Sequence, residues 1–212
     1  MMASTVRLMV VMIAMVGLLG AQAVCENVKK VTSSALGIAA DQRVVRIEYS
    51  SGSQLEQIIN ELNYKPEGWQ ASIRRVPRLY ITDVPSRWRD KSFKELDVMT
   101  KKHLFFCFLG PLVLRSNELI QKNRDRATSI IEALRAGAAV SHQDQTFLRE
   151  IVEAYKVAEG KTDLTDHSLH DKILSRVDTV PPSLVLAQAA EESGWGTSRF
   201  AVEGNALFGM WT

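Results

Sequence analysis

Hydrophobic residues recur at helical spacing along most of the chain beyond residue 50. Over residues 54–63 the apolar positions are three or four residues apart, which predicts an amphipathic helix. The same spacing predicts helices over 92–109, over 111–135 and from 142 to about 159. Pro111 separates the second helix from the third, because a proline inside a helix interrupts or kinks it. The pattern therefore predicts a mainly α protein.

Polar residues and glycines mark the ends of these predicted helices. Ser141 has an acidic residue, Asp144, three positions later, which is typical of a helix N-cap. Asp166 or Ser168 is expected to cap a further short helix. Gly160 is expected to end the helix that follows Ser141, because glycine adopts the left-handed conformation at little cost.

The region before the first long helix is less regular. Residues 24–41 are small, polar and aperiodic, so they are interpreted as a linker. A short strand is possible over 44–49, and residues 76–81 are expected to be extended. Three prolines between 64 and 88 exclude a long regular element there. We expect an irregular N-terminal region with Trp88 buried.

The first residues have the layout of a secretory signal peptide. Arg7 precedes an apolar run over residues 8–20, and Ala-Gln-Ala follows at 21–23 as a cleavage site. The run is shorter than the roughly 20 residues that a membrane span needs. We expect cleavage after Ala23, only transient membrane contact through the signal peptide, and a periplasmic or secreted protein. An uncleaved anchor is the alternative.

The chain is accordingly divided into three parts. Residues 1–23 are the predicted signal peptide, and residues 24–90 are the linker and irregular N-terminal region. Residues 91–212 form a helical region that leads into the C-terminal motifs described below.

Composition and charge exclude some classes of function. Hydrophobic residues make up 46% of the chain and charged residues 24%, as in a globular protein. The net charge of +2, with no basic run that alternates with aromatic residues, predicts no nucleic-acid partner. Of the two cysteines, Cys25 lies near the new terminus and Cys107 lies in an apolar run. Cys107 is expected to be a buried thiol rather than half of a disulfide.

No cofactor or metal site is predicted. Asp166, His167, His170 and Asp171 could share a helix face, but their spacing matches no specific zinc pattern. The first turn of a capped, solvated helix explains them better. The sequence also lacks a glycine-rich loop for phosphate and the motifs of nucleophilic serine hydrolases.

The stretch 180–211 combines a predicted helix with unusual charges. Pro181 and Pro182 suit the first turn of a helix, because proline fixes φ and lacks an N–H. Gly194 provides a natural end, so a helix is predicted from about 182 to 193. Before its last turn this helix is apolar all round, which is typical of a buried helix.

Two glutamates, Glu191 and Glu192, occupy the last turn of that helix. Burial and the partial negative charge at a helix C-terminus both disfavour a charged carboxylate. One of the two is therefore expected to hold a proton, as a general acid for glycoside cleavage must. Periodicity alone does not choose between them. Trp195, between two glycines, is placed to offer an aromatic face to a sugar ring. In the alternative, Trp195 plugs the core and both glutamates are solvated.

A family resemblance indicates which of the two glutamates is catalytic. The string AQAAEESGWGTSRFA followed by GNALFGMW resembles the glucosaminidase domain of bacterial cell-wall hydrolases, including flagellar peptidoglycan hydrolases and Bax-type proteins. Aligning Glu-Ser-Gly-Trp-Gly places the family's catalytic glutamate on Glu192. Residues 205 and 207–209 match the second motif. The chain departs from the pattern at Glu191, where an apolar residue is usual, and at Ala206, where Asn is common.

The resemblance implies a fold and an activity. The fold would be a mainly α, lysozyme-like glucosaminidase domain. The activity would be hydrolysis of peptidoglycan glycan strands beside N-acetylglucosamine, with Glu192 as general acid. Trp195 and Phe208 would line the saccharide cleft. Asn205 would bind a sugar hydroxyl or acetamido group, or would satisfy backbone groups of its own loop.

The family's domain continues beyond the residues that correspond to Trp211 and Thr212. We therefore expect a domain that is incomplete at its C-terminus, with no assignable second acidic residue and no assignable stereochemical outcome. Three alternatives stay open from the sequence. The chain could be an inactive fragment that lacks the second acidic residue, or a non-catalytic glycan-binding or envelope-structural protein, or its chemistry could be that of a lytic transglycosylase.

Overall fold

The computed structural model describes residues 45–65, 67, 70, 76–81, 88, 90–160 and 162–209. The predicted signal peptide, the linker and Cys25 lie outside the described residues. The described part is mainly α, as predicted. Its elements in chain order are β1 (Val45–Ile47), α1 (Gly52–Glu61), β2 (Leu79–Ile81), α2 (Lys91–Lys94), α3 (Val98–Arg135), α4 (His142–Ala154), α5 (His167–Arg176), α6 (Pro182–Ser193) and α7 (Arg199–Gly204). Across these residues, no helix is both long enough and apolar enough to span a bilayer.

The chain forms two compact units. The central unit comprises residues 116–180, and the terminal unit combines the described residues up to Arg115 with those from Pro181 onward. Helix α3 contributes its first half to the terminal unit and its second half to the central unit. The predicted division at residue 90 stays a prediction.

A short parallel sheet lies in the terminal unit. Strands β1 and β2 pair with Val45 opposite Leu79 and Ile47 opposite Ile81. The sequence predicted both extended segments but not their pairing, because residue pattern alone does not identify a strand's partner. Helix α1 follows β1, and the side chain of its N-cap Ser51 accepts a hydrogen bond from the backbone N–H of Gln54.

Aromatic rings form the core of the terminal unit. Trp88 is buried, as predicted, with 8% of its surface exposed. Its ring centroid lies 6.4 Å from that of Phe93, 6.1 Å from that of Phe105 and 5.9 Å from that of Phe108. These distances are typical of favourable aromatic pairs. Cys107 is a buried free thiol, also as predicted, and burial raises its pKa to about 12.

The helix break that was predicted at Pro111 is not observed. Helix α3 runs without interruption from Val98 to Arg135 with Pro111 inside it. Proline costs about 3 kcal/mol in a helix interior, but apolar packing on both sides offsets this, since Leu109 and Val113 are buried. The break lies earlier, between α2 and α3. There the Asp97 carboxylate accepts hydrogen bonds from the first backbone N–H groups of α3.

The central unit has its own apolar core. Its buried members come from the second half of α3, from α4 and α5, and from the segment between those two helices: Ile120, Ala127, Ile130, Ile131, Leu148, Ile151, Val152, Tyr155, Val157, Leu164, Leu169, Ile173 and Val177. Arg124 of α3 donates to the carbonyl oxygens of Leu174 (2.6 Å) and Val177 (2.5 Å) at the end of α5. Those carbonyls have no partner within their helix, so the arginine satisfies them.

The predicted N-caps are confirmed and one predicted helix end is wrong. The side chain of Ser141 accepts a hydrogen bond from Asp144 N (3.1 Å), and that of Asp166 accepts one from Ser168 N (2.8 Å). Helix α4 ends at Ala154 rather than near Gly160. The chain already turns at Lys156, which adopts a positive φ of 47°.

Candidate active site

Helix α6 has the predicted boundaries. It begins at Pro182, after Pro181 in the N-cap position, and ends at Ser193. Gly194 closes it in the left-handed conformation, with φ 57° and ψ 49°. Both ends of α6 were predicted correctly from the sequence, because proline and glycine each act through their own backbone conformation.

The predicted burial of α6 on all sides is wrong. Val185, Ala189, Ala190 and Ser193 are buried, whereas Leu184 is 46% exposed. The buried positions 185, 189 and 193 are four residues apart and form a single stripe. Alanine and leucine elsewhere on the helix are compatible with a half-exposed surface, so apolar character alone did not indicate burial.

Glu192 lies on the exposed side of α6, so the predicted apolar walls around it are wrong. Hydrogen bonds hold it instead. Gln188 Nε2 donates to Glu192 Oε1 at 2.7 Å, and the backbone N–H of Gly209 donates to Oε2 at 2.5 Å. The first donor lies one turn earlier on the same helix and the second lies in the segment after α7. The carboxylate is thus fixed from two directions.

A left-handed turn follows the helix. Gly194, Trp195 and Gly196 adopt positive φ values of 57°, 60° and 76°. A non-glycine residue in this conformation costs roughly 1–2 kcal/mol. The buried Ser193 hydroxyl secures the turn, since it donates to the carbonyl of Ala189 (2.5 Å) and accepts from Gly196 N (2.8 Å).

Trp195 packs against the first half of α3. Its ring centroid lies 5.7 Å from that of Phe105 and 5.3 Å from that of Phe106, both edge-on. The Lys102 ammonium lies 4.6 Å from the centroid of the indole ring. Trp195 is half-buried, so it partly plugs the core and keeps part of its ring accessible. Its role in binding a saccharide stays a prediction.

Gly196 is required by a close approach as well as by its φ. A Cβ atom at this position would lie 2.9 Å from Cζ3 of Trp88 and 3.5 Å from Cδ2 of Phe105. A real Cβ essentially never approaches another heavy atom to 2.9 Å. The Gly-Trp-Gly motif is therefore built into the aromatic core of the terminal unit.

The second motif begins at the end of α7. Asn205 is exposed and adopts a left-handed conformation (φ 52°), and Ala206 N donates to the carbonyl of Phe200 at 3.1 Å. Asparagine tolerates this conformation better than most residues, which gives Asn205 a structural reason to be there. Phe208 is half-buried. The substrate-binding roles of Asn205 and Phe208 stay predictions.

Sequence reasoning missed the partners that position Glu192. The spacing of Gln188 and Glu192, four residues apart on a helix, could have indicated their hydrogen bond. The bond from Gly209 had no local signal, because it depends on how the segment after α7 returns to α6. Lys102 was missed for the same reason.

The four residues that were considered as metal ligands have other partners in the structure. Asp166 caps α5, His170 Nε2–H donates to the carbonyl of Leu164 (2.8 Å), and Arg135 contacts Asp171 at 2.6 Å. His167 stacks on His170 with 5.7 Å between ring centroids. Within the described ranges, no group of three or more His, Cys, Asp or Glu side chains is placed to hold a metal ion.

Part of this region is similar to a known protein family. A family model described as "Glucosaminidase: Mannosyl-glycoprotein endo-beta-N-acetylglucosaminidase" matches residues 171–212. We call residues 171–212 the glucosaminidase segment, after the family model that matches them. This glucosaminidase segment contains Glu192, Trp195, Asn205 and Phe208.

The chain is also similar to Protein bax of Escherichia coli (strain K12). The two are 42% identical over 70 residues, which is 33% of this chain and 25% of the E. coli protein. The match therefore spans about a quarter of the length of that relative. No solved structure matches the chain significantly. The glucosaminidase segment and the similarity to Protein bax together support a Bax-type glucosaminidase-domain protein.

Proposed function

We propose that the chain is a glycoside hydrolase that cleaves peptidoglycan glycan strands beside N-acetylglucosamine, with Glu192 as the general acid. The observation that supports this most strongly is the double hydrogen bonding of Glu192 within the glucosaminidase segment. An exposed carboxylate fixed in this way is accessible to a polymer chain and has a defined direction. Both properties are needed for proton transfer to a glycosidic oxygen.

The two donors imply different roles for the two carboxylate oxygens. For Glu192 to donate a proton, one oxygen must first carry it, and the O–H then competes with an N–H donor for the same side of that oxygen. The Gln188 side chain can rotate away from Oε1, whereas the N–H of Gly209 is part of the backbone. We therefore assign the transferred proton to Oε1 and the anchoring contact to Oε2.

The other predicted residues have compatible positions. The face of the Trp195 ring that Lys102 does not cover would contact a sugar ring. Phe208 would extend that surface, and the exposed Asn205 amide would bind a hydroxyl or acetamido group. The proposed location is the periplasm or the exterior of the cell, where peptidoglycan lies.

The sugar ends that the chain releases from purified glycan strands test this function. After incubation with the 212-residue chain, new reducing N-acetylglucosamine ends are expected. Anhydro-sugar ends would instead indicate lytic transglycosylase chemistry. Co-sedimentation with the strands without new ends would indicate the non-catalytic glycan-binding alternative.

A further inference from the structure

A cavity of about 280 Å³ lies in the terminal unit, beside the left-handed turn. The residues that line it are Trp88, Phe93, Lys94, Lys101, Thr197 and Val202. Neither Glu192 nor its two hydrogen-bond partners belong to this lining. Ligand pockets in proteins are commonly about 300–1,000 Å³, so this cavity suits a ligand of monosaccharide size.

The described lining of the cavity carries positive charge without an acidic residue. It includes two lysines, and Lys101 is held in place because its Nζ donates to the carbonyl of Lys94 at 3.1 Å. The acidic residues that neighbour these lysines in sequence are engaged elsewhere. Glu95 pairs with Lys91 at 3.7 Å, and the Asp97 carboxylate accepts hydrogen bonds at the start of α3. Asp90, before α2, is exposed and is not part of the lining.

The remaining walls suit a sugar ring. Trp88 and Phe93, which are 8% and 2% exposed, supply edges of aromatic carbon. Thr197 supplies a hydroxyl oxygen whose proton is donated to the carbonyl of Gly194. Aromatic walls with a few convergent polar groups are typical of small-molecule sites.

We propose that this cavity binds the carboxylate-bearing sugar of a glycan, with the carboxylate between Lys94 and Lys101 and the sugar ring against Trp88. The proposal rests on the proposed function only for its choice of glycan. It adds a recognition site that is separate from Glu192, and it predicts that acidic sugars are preferred over neutral ones.

The test compares two sugars that differ by one lactyl carboxylate, N-acetylmuramic acid and N-acetylglucosamine. Each is titrated into the ¹⁵N-labelled full chain, and affinity is measured from the shifts of the backbone amides of Thr197 and Val202. The acidic sugar is expected to bind more tightly. Lys94→Gln and Lys101→Gln should each weaken its binding about fivefold, and added salt should weaken it further.

Lys91→Gln is the matched control, because Lys91 lies on the same short helix but pairs with Glu95 rather than lining the cavity. It should leave the affinity unchanged. Equal binding of the neutral sugar, or an affinity that neither cavity lysine changes, would overturn the proposal. Tighter binding of the dipeptide Ala-Glu would overturn it in favour of a peptide ligand.

Binding to the cavity can be tested independently of the proposed hydrolysis. Glu192→Gln should retain the binding of N-acetylmuramic acid, since Glu192 does not line the cavity. Binding without hydrolysis would contradict the proposed function alone, and hydrolysis without lysine-dependent binding would contradict this inference alone. Thermal melting of each variant verifies that it is folded.

Discussion

At the scale of single residues, the candidate acid is positioned by hydrogen bonds and not by burial. Gln188 and the backbone of Gly209 each donate to one oxygen of Glu192. The neighbouring Glu191 is equally exposed, but the structure gives it no such pair of donors among the described hydrogen bonds. This difference supports Glu192 independently of the motif that first indicated it.

Replacing Gln188 should impair catalysis more than folding. Gln188→Leu keeps a similar volume but removes the donor to Glu192 Oε1, a hydrogen bond to a charged group. Such bonds contribute about 1.5 kcal/mol or more, and this one would form again on Oε1 as its proton leaves, so kcat is expected to fall about tenfold. Kinetics on purified glycan strands measure this effect.

The control is Ala187→Leu, which adds the same side chain at an exposed position on the same turn. It should leave kcat close to that of the unsubstituted chain. An equal loss of kcat in both variants would show that any change of this helix surface impairs catalysis, and that the hydrogen bond from Gln188 to Glu192 is not the cause.

At the scale of elements, the turn after α6 couples the Glu-Ser-Gly-Trp-Gly motif to the aromatic core. Ser193 bonds both the helix and the turn, and Gly196 contacts Trp88 at a distance that leaves no room for a side chain. The motif therefore has structural reasons in addition to any catalytic one. It fixes where the end of α6, and with it Glu192, lies.

The two glycines of this turn should differ in their tolerance of alanine. Both adopt positive φ, so both substitutions carry backbone strain. At Gly194 a Cβ would meet only Thr197 Oγ1 at 3.6 Å, an ordinary contact, whereas at Gly196 it would lie 2.9 Å from Trp88. Gly196→Ala is expected to lower the free energy of unfolding by about 1–3 kcal/mol more than Gly194→Ala. Urea unfolding of the two variants measures the difference, and equal losses would contradict the steric account.

The elements also show what sequence reasoning captures. Helix ends set by a residue's own chemistry were predicted well, as at Pro182, Gly194, Ser141 and Asp166. Ends that depend on packing were not. Pro111 is accommodated inside α3, and α4 ends before Gly160, because tertiary contacts outweigh a single local preference.

At the scale of the whole molecule, helix and turn caps make stability depend on pH. The pKa values of Asp97, Asp144, Asp163 and Asp166 are all lowered. The largest causes are hydrogen bonds from Thr100, Ser141, Thr165 and Ser168, respectively. A lowered folded-state pKa stabilises the fold above the ordinary value of 3.8, and this stabilisation is lost as pH falls through the folded-state value.

Acid should therefore weaken the fold through these caps. The urea midpoint is expected to fall between about pH 5 and about pH 2, and Asp144→Asn should reduce that fall, because it removes one titrating cap. Exposed Asp171, which lies inside α5, pairs with Arg135 and caps no helix or turn, gives the matched control Asp171→Asn. A midpoint independent of pH in this range would contradict the role of the caps.

The site as a whole was only partly predictable. Glu192, Trp195, Asn205 and Phe208 were selected from the motifs, and all four lie within the residues that the family model matches. The exposure of Glu192 and its bond from Gly209 were not predicted, since both depend on where residues distant in sequence come to lie. Apolar composition predicted burial for α6, but only one stripe of the helix is buried.

The most direct test of the central claim is a paired substitution of the two adjacent glutamates. Hydrolysis of purified glycan strands is measured for Glu192→Gln and for Glu191→Gln, with the unsubstituted chain beside them. Glu192→Gln is expected to lower kcat by about 10²–10⁴-fold, the usual contribution of a general acid, while Glu191→Gln stays close to the unsubstituted rate. Undiminished hydrolysis by Glu192→Gln would contradict the account.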